Sequence, residues 1–160
     1  MLLFKMQDAL YQYCLAGLPA ILFLHGGVTF LYSEPGNGLL EACECGDYNA
    51  ARSLIEAGVD VNYRDGFGNT ALFYTALRSH IEVMRLLLAY EADVGATNVE
   101  GSTPIIAAVL SGKVEPVEIL LLSGASPRVS NNHGYTPLQA AEDRGFTDIA
   151  TLLKAAGATE

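Results

Sequence analysis

Residues 70–76, 103–109 and 136–142 read TALFYTA, TPIIAAV and TPLQAAE. Their opening threonines are spaced at a constant interval of 33 residues, and a glycine lies two positions before each of them. A polar break and an aliphatic run follow each segment, and the runs are MRLLLA, VEILLL and IATLLK. Such a fixed period indicates that the second half of the chain consists of stacked copies of one structural unit.

The repeated unit resembles the ankyrin repeat, which is defined by a Thr-Pro-Leu-His-x-Ala signature and a period of about 33 residues. One period before Thr70 lies Asn37, and the residues after it fit the same template without the Thr-Pro opening. We expect the Asn37 side chain to cap the first helix there. The resemblance implies an all-α ankyrin-repeat solenoid of stacked antiparallel helix pairs, joined by β-hairpin-like turns. It covers residues 37–160 as four repeats, at about 37–67, 68–100, 101–133 and 134–160.

Each repeat is predicted to contain two helices, and the second repeat shows the pattern. Thr70 is expected to cap a first helix over Ala71–Arg78, with Ser79 and His80 as the break before the second helix. The predicted core face of that second helix is Ile81, Met84, Leu87 and Leu88. Where the family has a glycine, this repeat has Glu91, and a side chain in a left-handed conformation costs about 1 kcal/mol.

The repeats depart from the family pattern at the signature histidine and in the last copy. The histidine is replaced by Leu40, Phe73, Ile106 and Gln139 in the four repeats. We expect apolar packing to replace the polar bracing that the histidine provides in the family. The fourth repeat is expected to form a C-terminal cap, because a terminal repeat needs a wettable outer face. Its polar residues are Gln139, Glu142, Asp143, Arg144, Thr151 and Lys154.

Residues 1–36 differ in composition from the rest of the chain. The 25 residues between Asp8 and Glu34 carry no formal charge. One interpretation is a signal sequence or membrane anchor, because residues 9–32 are long enough to span a bilayer. The other is a degenerate capping repeat, with its glycines two residues closer together than in the next repeat. The signal or anchor interpretation is slightly favoured. A membrane-associated or exported location is therefore favoured over a cytoplasmic one.

Composition and motifs argue against several classes of function. Nine basic and 18 acidic residues give a formal net charge of -9, which disfavours nucleic acid as a ligand. No motif predicts a catalytic centre, a cofactor or a metal, since the three histidines have no ligand partner at metal-site spacing. Cys43 and Cys45 lie two apart on a predicted helix, so we expect one packed thiol and one more exposed thiol. The sequence therefore predicts a protein that is not an enzyme.

The family resemblance implies that another protein binds the concave surface formed by the inter-repeat hairpins and the exposed face of the first helices. Five positions on this surface stand out, because aromatic residues and arginine carry disproportionate energy at interface centres; they are Phe67, Leu77, Arg78, Tyr90 and Tyr135. The predicted function is a monomeric, non-enzymatic protein-binding module. The alternative is a membrane-tethered or exported accessory protein that protects or positions an enzyme in that compartment. The candidate contact residues are Arg64, Phe67, Asn69, Leu77, Arg78, Tyr90, Glu100, Ser102, Leu110, Ser111, Ser123, His133, Tyr135, Asp143 and Arg144.

Overall fold

The computed structural model describes residues 21–24, 27–30 and 35–158. Near the amino terminus it shows two antiparallel strands, β1 (Ile21–Leu24) and β2 (Gly27–Phe30). The other residues of the segment 1–34 lie outside the described ranges. Both interpretations of that segment, as a signal or anchor and as a degenerate repeat, therefore stay predictions. Among the helices of the described ranges, none is long and apolar enough to cross a bilayer.

Residues 35–158 fold into four helix pairs, one pair for each predicted repeat. The first helices pack on one another in chain order, and the second helices do the same in a parallel layer. This arrangement confirms the predicted all-α solenoid. The pairs are α1 (Pro35–Cys45) with α2 (Tyr48–Glu56), α3 (Ala71–Arg78) with α4 (Ile81–Ala89), α5 (Pro104–Leu110) with α6 (Val114–Leu122), and α7 (Pro137–Asp143) with α8 (Thr147–Ala155).

Threonine side chains cap the first helix in the second and fourth repeats, whereas the cap predicted in the first repeat does not form. The Thr70 hydroxyl accepts a hydrogen bond from the Phe73 amide at 3.3 Å, as expected of a cap. In the fourth repeat, Thr136 and Gln139 form a capping box, in which each side chain accepts the other residue's backbone N–H. The Asn37 cap prediction is wrong, because α1 already begins at Pro35, and the fixed φ of proline suits the first turn of a helix.

The core lies between the two helix layers and is broader than the sequence pattern predicted. Met84 and Leu87 of α4 are fully buried, as expected, whereas Ile81 and Leu88 are half-buried. Val83 and Leu86 are also buried, because α4 packs against α3 on one side and lies between α2 and α6 within its own layer. A helix with three neighbouring helices buries more than one narrow stripe.

Apolar packing replaces the family's histidine in part of the solenoid. Leu40 and Ile106 are buried, and Phe73 is half-buried against the core. Gln139 is exposed and belongs to the capping box instead, so in the fourth repeat the expectation of apolar packing is wrong. The other outer residues of that repeat are exposed, as expected of a terminal cap; they are Glu142, Asp143, Arg144, Thr151 and Lys154.

The residue two positions after the end of each second helix adopts a left-handed backbone conformation. Gly58, Gly124 and Gly157 have φ values of 89°, 91° and 98°, and Glu91 occupies the equivalent position with φ 60°. The predicted left-handed side chain at Glu91 is thus confirmed. Its amide still donates to the carbonyl of Leu88, at 3.1 Å, so the helix end keeps its hydrogen bond despite the unfavourable φ.

Candidate protein-binding surface

The hairpins between repeats share one backbone geometry that is set by an acidic or amide side chain. Oδ1 of Asp65 accepts hydrogen bonds from the amides of Phe67 and Asn69, at 2.8 and 2.9 Å. Asn98 and Asn131 repeat this double acceptance in the next two hairpins, at 2.9–3.0 Å. Short polar side chains of this kind favour turns by bonding to backbone groups nearby in the chain. These hydrogen bonds inside each hairpin therefore stabilise its tip.

Hydrogen bonds also join each hairpin to the next one. The amide of Val99 donates to the carbonyl of Phe67 at 2.9 Å, and the amide of Asn132 donates to the carbonyl of Glu100 at 2.8 Å. Asn132 also donates from Nδ2 to the carbonyl of Val99 at 3.1 Å. The guanidinium of Arg64 donates to the carbonyl of Thr97 at 2.7 Å. Three successive hairpins are consequently joined in one row.

Two apolar side chains are exposed at the tips of this row. Phe67 is 69% exposed and Val99 is 64% exposed. Glu100 and His133, which occupy the position of Phe67 in the next two hairpins, are exposed as well. Large apolar side chains at this exposure leave surface that a partner could remove from water.

A shallow depression of about 230 Å³ lies where the first hairpin meets α1 and α3. Three of its lining residues are acidic, namely Glu41, Glu44 and Asp65. The hydroxyl of Tyr74 donates to Oδ2 of Asp65 at 2.6 Å, which connects α3 to the hairpin. Burial alone would raise the pKa of Asp65, but its hydrogen bonds from Tyr74 and from the backbone bring that pKa below the ordinary value. Burial and the neighbouring Asp65 raise the pKa of Tyr74.

The fourth repeat has its own tyrosine contact between hairpin and helix. The hydroxyl of Tyr135 donates to Oδ2 of Asp143 at 3.0 Å. Burial, followed by this hydrogen bond, raises the pKa of Tyr135. Between the two tyrosine contacts, the first helices present Leu77 and Leu110, which are both half-buried.

An ion pair connects the first two repeats on the same side. The guanidinium of Arg78 lies 2.7 Å from a carboxylate oxygen of Glu44, and both side chains are about half exposed. His80 adds a second contact, because its Nε2 lies 2.9 Å from the carbonyl of Glu44. Gly46 packs so closely against this ring that a Cβ there would come within 2.6 Å of Nδ1. His80 therefore has a structural role between repeats.

Most of the predicted contact residues lie on the hairpins and first helices, but three do not offer the surface expected of them. Ser102 is only 7% exposed, and its backbone amide donates to Oδ1 of Asn98 within the hairpin. Tyr90 and Ser123 cap the carboxyl ends of α4 and α6, so they belong to the second-helix layer. These three assignments are corrected. The residues found on the hairpins and first helices are Arg64, Phe67, Asn69, Leu77, Arg78, Glu100, Leu110, Ser111, His133, Tyr135, Asp143 and Arg144.

Sequence reasoning missed two surface residues. Val99 precedes the exposed tip position of its hairpin, and Glu41 lies on α1 beside the depression. The signal for Val99 is its place directly before Glu100, which the period makes equivalent to the selected Phe67. Glu41 had no such signal, because the equivalent positions in the other repeats are Tyr74, Ala107 and Ala140.

The two cysteines in the described ranges occupy the environments expected of them, and these ranges contain no metal site. Cys43 is buried and Cys45 is exposed, and both are free thiols. Burial raises the pKa of Cys43 to about 12, so its thiol stays protonated and unreactive at neutral pH. In the described ranges, no group of three His, Cys, Asp or Glu side chains is placed to hold a metal ion.

Comparison with known proteins identifies the family. A family model described as ankyrin repeats (3 copies) matches residues 39–131 and, in a second match, residues 92–159. The chain belongs to the ankyrin-repeat family. Ankyrin-repeat domains generally act as non-enzymatic modules for protein–protein interaction.

Individual relatives match only part of the solenoid. The chain is 38% identical over 55 residues to ankyrin repeat domain-containing protein 46 of Rattus norvegicus and of Mus musculus. It is 42% identical over 60 residues to the ankyrin and IPT/TIG repeat-containing protein of Schizosaccharomyces pombe. These matches cover 34% and 37% of this chain. They cover 24% of each mammalian relative and 5% of the yeast one.

Proposed function

We propose that the chain binds a partner protein on its concave face, defined as the hairpin tips together with the exposed sides of α1, α3, α5 and α7. One observation carries this proposal. Phe67 and Val99 expose 69% and 64% of their surface at adjacent hairpin tips, and a backbone hydrogen bond joins those tips. An exposed apolar pair on a rigid backbone is the surface feature that best fits a binding site here.

Energetic reasons favour these tips as an anchor. Burial of a phenylalanine or valine side chain contributes about 1.5–3 kcal/mol relative to exposure. A partner that covers both residues loses little conformational entropy from this side, because the hairpins are already held by internal hydrogen bonds. Leu122 is still more exposed, at 89%. It lies on α6 in the second-helix layer, and therefore outside the concave face as defined above.

The proposal is tested with the full-length chain carrying Phe67→Ser and Val99→Ser together. Partners captured from cell extract by the unaltered chain are identified by mass spectrometry, and each is then purified for titration calorimetry. The double variant should bind such a partner about 30-fold more weakly or worse, if the two tips form its central contact.

Leu122→Ser is the matched control, because it removes an even more exposed apolar side chain from the other layer. It should bind the partner as the unaltered chain does. Circular dichroism and urea unfolding show whether each variant keeps its fold. A folded double variant with unchanged affinity would place binding elsewhere and reject the concave face.

A further inference from the structure

We infer that the partner presents a peptide segment with apolar side chains in the middle and lysine or arginine towards its ends. This inference rests on the proposed function and specifies the chemistry of the partner for the same face. Its basis is the row of equivalent positions across the four first helices. That row reads Glu44, Leu77, Leu110 and Asp143, so it runs from acidic to apolar to acidic.

The middle of the row offers apolar contact. Leu77 and Leu110 are half-buried, and α3 and α5, which carry them, pack directly on each other. Phe67 and Val99 are exposed on the hairpins that directly precede α3 and α5 in the chain. Apolar side chains of a partner can therefore contact both these two helices and the hairpin tips that precede them.

The amino-terminal end of the row is the more acidic one. Glu41, Glu44 and Asp65 line the depression there, and the ring of Tyr74 forms part of its wall. Arg78 pairs with Glu44, but Glu41 is exposed and makes no ion pair with any residue in the described ranges. A guanidinium or ammonium group of a partner would meet carboxylates and an aromatic ring at this end.

The carboxyl-terminal end of the row presents a single carboxylate, that of Asp143. Asp143 is exposed and accepts one hydrogen bond from Tyr135, and Arg144 follows it in the chain. Glu142 is nearby but pairs with Lys154 at 2.7 Å. The net charge of -9 on the whole chain also favours a basic partner, because it attracts positive charge at long range before contact.

The length of the segment follows from helix spacing. Neighbouring packed helices lie about 8–10 Å apart, so three steps along the row cover about 25–30 Å. An extended peptide covers that span in about nine residues, at about 3.3 Å per residue. Two basic positions about eight residues apart, with apolar residues between them, match the row in an extended conformation.

The test selects peptides of about 16 residues, enough to exceed the span, from a random display library on the full-length chain. The selected peptides are synthesised, and their affinities are measured by fluorescence anisotropy. We expect enriched peptides to carry lysine or arginine on both sides of apolar residues. Glu41→Gln should weaken their binding about threefold to tenfold, and a rise from about 0.05 M to about 0.3 M NaCl should weaken it similarly.

Glu118→Gln is the matched control, because Glu118 is an exposed carboxylate on α6 in the other layer. Equal weakening by Glu41→Gln and Glu118→Gln would show attraction to net charge alone and overturn the inference. Neutral or acidic peptides that still lose binding in Phe67→Ser with Val99→Ser would overturn it too, while they support the concave face. Peptides unaffected by the tip variants would count against the proposed function as well. Failure to enrich any peptide would also reject the inferred segment.

Discussion

The amide of Val99 donates a 2.9 Å hydrogen bond to the carbonyl oxygen of Phe67, which joins two exposed hairpin tips through their backbones. The side chain of Asn98 also stabilises this junction. Its Oδ1 accepts from the amides of Glu100 and Ser102, and its Nδ2 donates to Asn69 of the preceding hairpin at 3.0 Å. The Asn98 side chain thus adds to the backbone hydrogen bond that positions Val99 relative to Phe67.

Asn98→Ala should lower the free energy of unfolding by about 2 kcal/mol, because two backbone amides lose their acceptor and one contact between repeats disappears. Urea unfolding followed by circular dichroism measures this change. Asn49→Ala is the control, since Asn49 is exposed on α2 and alanine is the better helix former. If both variants unfold at the same urea concentration, the hairpin network does not contribute to stability.

Glu91→Gly should raise the free energy of unfolding by about 0.5–1 kcal/mol, because glycine adopts φ 60° without the steric cost that a side chain incurs. The same urea measurement applies. Gly124→Ala reverses the change at the equivalent position of the next repeat, where a Cβ would contact nothing within 4 Å. That variant should lose a similar amount. A gain in stability from Gly124→Ala would contradict a backbone origin of the effect.

The repeat period and cap residues allowed most of the fold to be predicted. The bounds of α3 and the left-handed Glu91 follow from local rules, since caps and φ preferences depend on residues close in the chain. The start of α1 did not follow, because Pro35 lies outside the repeat template that pointed to Asn37. The extra buried residues of α4 were also missed, because their burial depends on helices from the neighbouring repeats.

The candidate surface was less predictable than the fold. Tyr74 donates a hydrogen bond to Asp65, which lies nine residues earlier in the chain. The family pattern did not predict this contact. Ser102 was misplaced because its burial depends on neighbours in the folded chain, which the one-dimensional pattern does not show. Side-chain contacts across hairpins depend on the packed geometry, whereas the period specifies only which positions are equivalent.

Thr103→Val should leave the free energy of unfolding unchanged within about 0.5 kcal/mol or raise it slightly, because the buried Oγ1 has no hydrogen-bonding partner among the described residues. Thr70→Val, at the equivalent position one repeat earlier, should lower it by about 1 kcal/mol, since that hydroxyl caps α3. The difference between the two variants in urea unfolding isolates the cap. Equal losses of stability in the two variants would show that the Thr103 hydroxyl also makes a hydrogen bond in the folded chain.

Cys43 should make the stability of the fold depend on alkaline pH. Burial raises its thiol pKa from about 9 to about 12, so between these values the unfolded chain releases a proton that the folded chain retains. The stabilisation is complete below pH 9 and is lost as pH rises towards 12. The free energy of unfolding should therefore fall by up to about 1.4 kcal/mol per pH unit in this window, as measured by urea unfolding at a series of pH values.

Cys43→Ala isolates this contribution from other groups that titrate at high pH. The variant should be less stable than the unaltered chain at pH 8, because it leaves a small cavity in the core. Its stability should fall less steeply above pH 9, so the two curves converge. Cys45→Ala removes the exposed thiol instead and should keep the steep slope. Parallel curves for the unaltered chain and Cys43→Ala would show that the buried thiol does not couple folding to pH.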